Sequence, residues 1–469
     1  MSDTIAAVAT GGVVSAIGIV RISGDSALTV ADNVFRVACG IRLKDAECKR
    51  MYYGEFVDDF SDTPVDLCLC VISRAPNSYT GEDTVEFHCH GSPVVLSEVL
   101  QILFEHGVRQ ALPGEFTKRA FLNGRMDLTQ AEAVIDLIES ETLGAAKNAV
   151  GQLQGVIGVK LCSVYNQLLD IMSHFHAVID YPDEDIDEFN LQNYLTRLQS
   201  IDDELQQMLE THKRGKILKD GIPTAIIGRP NTGKSSLLNA LLGYERAIVT
   251  EVAGTTRDTV EEKVLMGNIL LRLIDTAGLR HTNDAIEKLG VERAFAALSG
   301  AELVLLVLDG SQPLMREDYD ALHSIPPDTP KIAVVNKSDL PAAFCDSELS
   351  KLEIKSCRIS ALSGEGLNSL DDEIEQMFPV LWQPYEFNKH DSNAPSSPGE
   401  LITNTRHAEA ILRAQAGVKS AVESLTESVT PDAVLTDIES ALAAIGEITG
   451  KTIREDIVSR IFERFCVGK

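Results

Sequence analysis

Short apolar runs alternate with helical segments over residues 221–379. The runs read TAIIG, LLRLID, ELVLLVLD and KIAVVN, and the segments between them carry apolar residues at helical spacing. Continuous apolar runs are typical of strands buried on both faces, and their alternation with helices is typical of a doubly wound parallel sheet. We therefore predict an α/β domain over residues 221–379.

Residues 1–123 show a different pattern. Short apolar runs such as AIGIVRI and VDLCLCVI are separated by Gly, Pro, Asp and Asn, and one helical stretch, VVLSEVLQILFEHG, interrupts them. This pattern predicts a separate α+β domain.

Helical periodicity resumes after this domain. One run extends from Asp127 to about His176, and a second comprises LQNYLTRLQSIDDELQQMLETHK. We expect these two runs to form a helical hairpin.

Three more amphipathic helical stretches follow a polar linker at the end of the chain. They begin near Leu401, Pro431 and Asp456. These stretches are too few to bury their apolar faces alone. We therefore predict a multidomain protein in which residues 124–220 and 380–469 form one discontinuous all-α domain, with the α/β domain inserted in it.

The charge of the chain limits its partners. Its 469 residues include 70 Asp and Glu against 42 Lys and Arg, and the formal net charge is -28. This excess of acid argues against broad nonspecific binding to nucleic acid or anionic membranes, so any RNA contact must be local.

The cysteines and the N-terminal residues indicate the compartment. Nine cysteines are scattered from Cys39 to Cys466 without a C-x-x-C spacing, which indicates reduced thiols rather than a disulfide framework or a zinc site. The stretch MSDTIAAVATGG has an acid where a signal peptide carries bases, and no apolar run has membrane-spanning length. We expect a cytoplasmic protein with no membrane partner.

A glycine-rich turn follows the first apolar run of the α/β domain. Gly228, Gly233, Lys234 and Ser235 form the spacing G-x-x-x-x-G-K-S, and the helix-like SLLNALLG comes next. Glycines let the backbone fold round a ligand with its N–H groups inward, and the helix N-terminus adds partial positive charge. The motif predicts a polyphosphate site in which Lys234 contacts the β- and γ-phosphates and Ser235 ligates Mg²⁺.

Two later motifs indicate guanine. The motif Asn336–Asp339 follows KIAVV, and the Asp339 carboxylate can accept from N1–H and the 2-amino group of guanine, which adenine lacks. The motif Ser360–Leu362 would place a backbone N–H near the guanine O6.

Two switch motifs complete the pattern of a Ras-like P-loop GTPase domain. Asp275–Gly278 suits Mg²⁺ binding through water and γ-phosphate sensing, and Thr256 in GTTRD is the candidate second Mg²⁺ ligand beside Ser235. The predicted GTP-binding residues are Asn231, Thr232, Gly233, Lys234, Ser235, Ser236, Thr250, Glu251, Val252, Ala253, Gly254, Thr255, Thr256, Asp275, Thr276, Ala277, Gly278, Asn336, Lys337, Ser338, Asp339, Ser360, Ala361 and Leu362.

The motifs resemble those of the TRAFAC class of GTPases, with one departure from its Ras-like members. Leu279 stands where those enzymes carry a water-orienting glutamine, so another catalyst is required. Glu287 is a candidate general base that a switch movement brings in, and the alternative is an exposed acid at a helix start.

The same resemblance implies a monovalent cation. A K⁺ ion held by Asn231 and by backbone oxygens of Thr250, Val252 and Thr255 would add positive charge to the transition state. The predicted catalytic residues are therefore Glu287, Lys234 and Asn231.

Both ends of the chain resemble the MnmE (TrmE) family of tRNA modification GTPases. The matching stretches are Asp3–Ala6, Gly18–Gly24, Pro76–Asp83, Glu86, His88–Gly91, Pro113–Thr117, Phe121–Leu128, Gly446–Gly450 and Phe465–Lys469. The resemblance implies a homodimer formed through N-terminal domains of tetrahydrofolate-binding type. It also implies that a one-carbon folate, 5,10-methylene- or 5-formyl-tetrahydrofolate, contacts Arg21, Glu86, Arg125 and Lys469.

The resemblance further implies a partner and a reaction. The partner is the FAD-binding protein MnmG, which would form a heterotetramer with the dimer. Together they add an aminomethyl or carboxymethylaminomethyl group to C5 of the wobble uridine of certain tRNAs, with GTP hydrolysis driving rearrangement of the complex.

Three features remain open at this stage. The loop ATGGVVSA is smaller than the family's proline- and arginine-containing loop, so ligand and dimer contacts there are undecided. Cys466 is either a reactive thiol near the folate or a packed cysteine. His88 and His90 alternate along one strand face, which favours a structural or ligand-lining role over metal binding.

Two other functions compete with tRNA modification. GRPNTGKSSLLNAL and GTTRD also occur in ribosome-assembly or RNA-binding GTPase switches, but these would carry a basic C-terminal domain, which this chain lacks. A GTP-regulated scaffold for membranes or filaments would carry an amphipathic basic anchor, which is also missing.

Overall fold

The computed structural model describes residues 3–11, 14–180, 191–244, 262–274, 298, 300–350, 353–378, 398–427, 431–452, 455–463 and 465–468. The chain divides into two compact units, each assembled from segments that are distant in sequence. Unit 1 comprises Met1–Ile135, Gln152–Leu198 and Ala416–Lys469, and unit 2 comprises Asp136–Gly151 and Gln199–Gln415. Among the described helices, none is long and apolar enough to cross a membrane.

A seven-stranded sheet in the order β3-β4-β5-β6-β2-β1-β7 forms the N-terminal part of unit 1. Its strands are β1 (Ile5–Val8), β2 (Ser15–Ser23), β3 (Phe35–Val37), β4 (Met51–Asp58), β5 (Thr63–Ser73), β6 (Thr84–Gly91) and β7 (Arg109–Gln110). Neighbouring strands are antiparallel, except that β1 and β7 run parallel.

Helices cover one face of this sheet. They are α1 (Ala27–Val34) and α2 (Pro93–Glu105), and α3 (Glu115–Leu122) follows β7. Alternate strand residues such as Phe56, Cys70 and Phe87 share a buried core with Val99 and Leu103 of α2. This mixture of strands and helices confirms the pattern predicted for the N-terminal part of the chain.

The first predicted helical run is not continuous, because it breaks into α4 (Leu128–Ile138), α5 (Leu143–Leu153) and α6 (Val156–Asp180). Before α5, Thr142 Oγ1 accepts a hydrogen bond of 3.1 Å from the Ala145 N–H, as a helix cap does. Before α6, Gly155 adopts φ 86°, a conformation that ends helices. The second run forms α7 (Leu191–Glu210) and α8 (His212–Asp220).

Unit 2 contains a six-stranded sheet in the order β13-β12-β11-β8-β10-β9. Its strands are β8 (Ile222–Ile227), β9 (Glu262–Met266), β10 (Ile269–Leu273), β11 (Leu303–Asp309), β12 (Lys331–Asn336) and β13 (Lys355–Arg358). All pairs are parallel except β9 with β10. The four predicted strands are present, and β9 was not predicted.

Apolar cores lie on both faces of this sheet. The described residues of this region include the helices α9 (Lys234–Tyr244), α10 (Arg316–His323), α11 (Asp346–Ser350) and α12 (Leu367–Met377). One core joins Leu237 and Leu241 of α9 to Leu370 and Ile374 of α12, and the other includes Leu349 of α11. The doubly wound arrangement places the carboxyl ends of the parallel strands along one edge, where their loops meet.

Within unit 2, the segment after Pro398 is fixed by contacts to α5. The buried side chain of Asn148 accepts from the Gly399 N–H at 3.0 Å and donates to Leu401 O at 3.4 Å. A Cβ at Gly151 would lie 2.3 Å from Pro398 O, so the helix approaches the segment more closely than another residue would allow.

The three C-terminal helical stretches predicted from the sequence are present. They are α13 (Thr405–Thr426), α14 (Pro431–Thr449) and α15 (Glu455–Phe462). In unit 1, α14 packs against α6. A separate apolar cluster joins Leu128 of α4 to Phe462 and Phe465, so residues far apart in the sequence share one core.

Candidate functional site

The glycine-rich motif forms the turn between β8 and α9, as the sequence predicts. Gly228 and Gly233 adopt φ 147° and 95°, and Asn231 adopts φ 64°, a conformation that asparagine tolerates better than most residues. A Cβ at Gly233 would lie 2.1 Å from Nδ2 of Asn336. This position therefore requires glycine for both its backbone conformation and its space.

The Lys234 side chain folds back onto this loop. Its Nζ donates to Gly228 O at 2.9 Å and to Arg229 O at 2.8 Å. Burial lowers the pKa of the Lys234 ammonium, because desolvation disfavours its charged form. A phosphate group beside it would offset that desolvation, so the loop suits an anionic ligand.

Hydrogen bonds connect the glycine-rich loop to the motif Asn336–Asp339. The buried Asn336 amide donates to Thr232 O at 3.0 Å and accepts from the Ala361 N–H at 3.0 Å. Lys337 Nζ donates to Asn231 O at 3.1 Å. The predicted phosphate loop and both predicted guanine motifs are therefore brought together at one edge of the sheet.

Asp309 is a residue of this site that the sequence reasoning missed. It ends β11 and is buried, and its Oδ2 accepts from Lys337 Nζ at 2.6 Å. Although burial raises the pKa of Asp309, hydrogen bonds from Lys337 and Ser311 hold it below its ordinary value. Asp309 could have been identified from its position at the carboxyl end of a predicted parallel strand, because ligand-binding residues are concentrated there.

The predicted base-recognition residues lie beside this connection. Ser360 Oγ donates to Asp339 Oδ1 at 2.7 Å, and the Asp339 side chain is exposed. Leu362 is 89% exposed. The Ser338 N–H donates to Ile359 O at 3.0 Å. Asp339 is therefore oriented by a neighbouring hydroxyl and keeps an open side toward solvent.

The remaining phosphate-loop predictions fall on or near the first turn of α9. Thr232 is buried, and its hydroxyl donates to Arg229 O at 3.0 Å. Ser235 is half-buried and Ser236 is exposed. Arg229 itself is neutralised by the buried Asp318, whose Oδ1 accepts from its Nε at 3.1 Å.

Part of the predicted site lies outside the described residues. These predictions concern Thr250, Glu251, Val252, Ala253, Gly254, Thr255, Thr256, Asp275, Thr276, Ala277, Gly278, Leu279, Glu287 and Lys469.

A second group of predicted residues lies in unit 1, on β2 and β6. Arg21 Nε donates to Glu86 Oε1 at 2.7 Å, and Arg21 pairs across the strands with Glu86. The Arg21 guanidinium lies 5.2 Å from the ring centre of Tyr79 and 5.5 Å from that of Phe116. A cation, a carboxylate and two aromatic rings thus adjoin one another, which suits a flat, polar ligand.

The turn Tyr79–Gly81 connects this group to Arg125. The Tyr79 hydroxyl is 2.9 Å from Thr117 Oγ1, and Asn123 Nδ2 donates to Thr80 O at 2.7 Å. A Cβ built on Gly81 would lie 3.3 Å from Cγ of Arg125, whose side chain is exposed. The same turn therefore contacts both predicted folate-binding arginines.

The segment Phe465–Gly468 lies against the sheet of unit 1. Val467 forms a bridge with Pro113, and the Gly114 N–H donates to Cys466 O at 3.3 Å. A Cβ at Gly468 would lie 2.1 Å from Val8 O, and Val8 pairs with Val20, the neighbour of Arg21. Cys466 is exposed, which disagrees with its interpretation as a packed cysteine.

The two histidines of β6 make different contacts. His88 Nε2 lies 3.6 Å from Glu86 Oε2, beside the Arg21 pair. His90 Nδ1 lies 2.7 Å from Asp66 Oδ1, and its backbone N–H donates to Asp66 Oδ2 at 2.8 Å. His88 therefore adjoins the second group of predicted ligand-binding residues, whereas His90 orients a carboxylate of β5.

Comparisons with known proteins cover the whole chain. The family model described as GTP-binding protein TrmE N-terminus matches residues 4–125, and the MnmE helical domain model matches residues 128–466. A protein of Thermoanaerobacter pseudethanolicus named tRNA modification GTPase MnmE is 40% identical over 100% of this chain and 99% of its own length. Proteins of the same name from Alkaliphilus metalliredigens and Clostridioides difficile are 41% and 39% identical, each over 100% of both chains.

A comparison with solved structures finds the G domain of the T. maritima FeoB iron transporter. It is 27% identical and covers 33% of this chain and 96% of that domain, with a TM-score of 0.25, so it carries no weight here. The full-length identities and the two family models instead carry the assignment. The chain belongs to the MnmE family of tRNA modification GTPases.

Proposed function

We propose that this protein binds and hydrolyses GTP as part of a tRNA-modifying complex. The observation that carries the proposal is the hydrogen-bonded connection between the phosphate loop and the guanine motifs through Asn336, which contacts both Thr232 and Ala361. One side chain thus positions the loops for both ends of a nucleotide.

Within this site, the residues have separate tasks. Backbone N–H groups of the loop and the Lys234 ammonium would hold the phosphates, and the glycine at position 233 leaves room for the Asn336 side chain. Ser235 and Thr256 are proposed Mg²⁺ ligands, and the metal would neutralise charge that develops on the phosphates. Asn231, Thr250, Val252 and Thr255 are proposed to hold K⁺, and Glu287 to act as the general base.

Replacing Asp339 by asparagine should transfer preference from GTP to xanthosine triphosphate. Asparagine presents an N–H₂ where the guanine needs an acceptor, and it matches the additional carbonyl of xanthine. We expect the ratio of the two affinities to change on the order of 10²- to 10⁴-fold, since two charge-assisted hydrogen bonds are involved. Competition binding with both nucleotides measures this ratio.

The matched control is Asp328→Asn. Asp328 is an exposed aspartate of the same unit that is not among the predicted GTP-binding residues. This variant should keep the preference of the parent chain. An Asp339→Asn protein that still prefers GTP by the original ratio would remove Asp339 from base recognition.

The second site is proposed to bind a one-carbon tetrahydrofolate. Arg21 and Arg125, with Lys469, are suited to the glutamate tail, and Glu86 is suited to the pterin amine and ring N–H. The aromatic rings of Tyr79 and Phe116 near Arg21 support a planar ligand.

Replacing Arg21 by glutamine should weaken binding of 5-formyl-tetrahydrofolate by about 10- to 100-fold, because a hydrogen bond to a charged group contributes about 1.5–3 kcal/mol. Titration calorimetry on the full chain measures this. Arg50→Gln is the control, since Arg50 lies at an exposed ion pair with Glu47. Equal affinities for the parent and Arg21→Gln proteins would exclude Arg21 from the site.

We propose that the N-terminal sheet also forms the homodimer. The face opposite α1 and α2 leaves Ile17, Met51, Tyr53 and Leu67 exposed, next to the strand positions of Arg21 and Glu86. A second copy would cover this apolar patch. We also propose the domain architecture expected from the sequence, in which the GTPase domain of residues 221–379 is inserted in a discontinuous helical domain.

The complete reaction is proposed to need an MnmG-like FAD protein, which with the dimer adds an aminomethyl or carboxymethylaminomethyl group to C5 of the wobble uridine. Mass spectrometry of tRNA from cells lacking the protein tests this proposal. We expect the modified wobble uridines to be lost and to return with the parent gene. Unchanged modification would favour the alternative of a GTPase switch in ribosome assembly.

A further inference from the structure

Two buried cysteines lie side by side on the inner face of the N-terminal sheet. Leu69 of β5 pairs with His88 of β6 in antiparallel register, which places Cys68 opposite Cys89. Cys68 is 4% exposed and Cys89 is 2% exposed. Their thiol groups therefore face one another from two adjacent strands.

A carboxylate completes this pair. Asp66 precedes Cys68 by two residues on β5, so strand alternation places its side chain on the same face. One ligand atom from each of Asp66, Cys68 and Cys89 lies within 4.8 Å of the other two. Two thiols and a carboxylate at such distances supply three of the four ligands that a tetrahedral Zn²⁺ site uses, and water would be the fourth.

His90 holds the carboxylate in place from outside the cluster. Its backbone N–H donates to Asp66 Oδ2 at 2.8 Å, and its ring Nδ1 lies 2.7 Å from Asp66 Oδ1. Asp66 Oδ1 also accepts from the Leu67 N–H at 2.8 Å, so Oδ2, which accepts one hydrogen bond, is the oxygen left to bind a metal. Contacts of this kind orient ligands in established metal sites, and the His90 side chain, 71% exposed, marks where the cluster meets solvent.

We propose that Asp66, Cys68 and Cys89 bind one borderline-soft divalent cation of the Zn²⁺ class. Binding forms two metal–sulfur bonds and one metal–oxygen bond and releases two thiol protons to solvent, with no change of oxidation state. The metal joins β5 to β6 at the centre of the sheet. This site is separate from the GTP and folate sites and does not depend on the proposed function.

Cobalt(II) is the probe for this proposal. The full chain, reduced without added thiol and free of nucleotide, is titrated with Co²⁺ under anaerobic conditions. We expect one equivalent to produce a near-ultraviolet sulfur-to-cobalt band with visible bands of tetrahedral intensity, and Zn²⁺ to displace both. Absence of these bands would overturn the proposal.

Variants assign the bands to the cluster. Cys68→Ser, Cys89→Ser and Cys89→Ala should each abolish or displace the sulfur-to-cobalt band, and Asp66→Asn should weaken Co²⁺ binding by about tenfold or more. Cys70→Ser is the matched control, because Cys70 is equally buried on the inner face of β5 but does not belong to the cluster. Its bands should match those of the parent chain.

Two results would contradict this assignment. The first is an unchanged band in the Cys68→Ser and Cys89→Ala proteins, which would place the metal on other cysteines. The second is a Cys68–Cys89 disulfide in protein purified anaerobically, found by thiol counting, which would make the pair a redox couple instead. Circular dichroism of each variant verifies that the sheet has folded.

Discussion

Alanine at position 233 is expected to weaken GTP binding by roughly 100-fold. A non-glycine residue at the positive φ of 95° costs about 1–2 kcal/mol. The added Cβ would lie 2.1 Å from Asn336 Nδ2 and displace a side chain that donates to Thr232 O. A buried hydrogen bond left unmade costs about 1–3 kcal/mol, and a total near 3 kcal/mol corresponds to the expected change in affinity.

The Gly233→Ala substitution should disturb both the phosphate loop and the guanine motifs. Asn336 also accepts from the Ala361 N–H, so its displacement loosens the guanine motifs along with the phosphate loop. We therefore expect GDP, which lacks the γ-phosphate, to lose affinity together with GTP. Fluorescent-nucleotide titration measures both affinities.

Gly243→Ala provides the matched control. Gly243 lies in α9, the helix that follows Gly233, and a Cβ there would meet nothing within 4 Å. Alanine at this position should leave GTP affinity unchanged and stabilise the helix by roughly 0.5–1 kcal/mol. If Gly233→Ala and Gly243→Ala proteins bind GTP equally well, the close packing of loop and Asn336 does not govern nucleotide binding.

Replacing Arg119 by methionine is expected to destabilise the N-terminal sheet by about 3 kcal/mol, since it leaves the largely buried Glu82 carboxylate without its cation, while Asp3 and Glu115 keep Arg109. Arg119 is nearly buried in α3 and donates to three acids. Its Nη2 lies 2.7 Å from Asp3 Oδ1 and 3.0 Å from Glu115 Oε1, and its Nη1 lies 3.0 Å from Glu82 Oε2. It also donates to Asp3 O at 2.7 Å, which fixes the chain just before β1.

The loss of stability in the Arg119→Met protein should be measurable in the segments that Arg119 contacts. Hydrogen exchange followed by mass spectrometry should show faster exchange in β1 and in the Thr80–Glu82 turn, with little change in unit 2. The control is Arg36→Met, because Arg36 pairs with Asp62 at an exposed position and should leave exchange unchanged. Slow exchange in β1 of the Arg119→Met protein would show that the ion-pair network is dispensable.

The same network predicts a response to acid. Burial raises the pKa of Glu115, but hydrogen bonds from Arg109, the Leu112 N–H and Arg119 outweigh it, so the pKa lies below its ordinary value. A lowered carboxyl pKa contributes stability above the unfolded-state value, near pH 4.3, that is lost as pH falls through the folded-state value. The Arg119→Met protein should therefore begin to unfold at a higher pH than the parent chain.

Several features of the fold could be read from the sequence because they depend on neighbouring residues. The four apolar strands of the unit 2 sheet, the turn after Ile227 and the three C-terminal helices follow from local periodicity and turn chemistry. Breaks at Thr142 and Gly155 were missed, since apolar spacing continued across them while a hydroxyl cap and a positive φ ended the helices.

Residues of the candidate sites could likewise be predicted where they belong to local motifs, but not where they depend on contacts between distant segments. Lys234, Ser235 and Asp339 belong to contiguous motifs whose spacing alone indicates their chemistry. Asp309 could not be assigned, because its contact with Lys337 joins residues 28 positions apart. Asp66 was missed for the same reason, since its link to Cys89 depends on the register between two strands.

By itself, the sequence determined the family, the phosphate loop and the residues suited to guanine. Each of these depends on short contiguous motifs that require glycine, lysine or aspartate at fixed positions. The tertiary structure decided which distant residues meet. Asn336 reaches Thr232, the segment Phe465–Gly468 reaches Val8, and Cys68 faces Cys89. These contacts follow from strand order, register and loop packing, which emerge only when the whole chain buries its apolar surface.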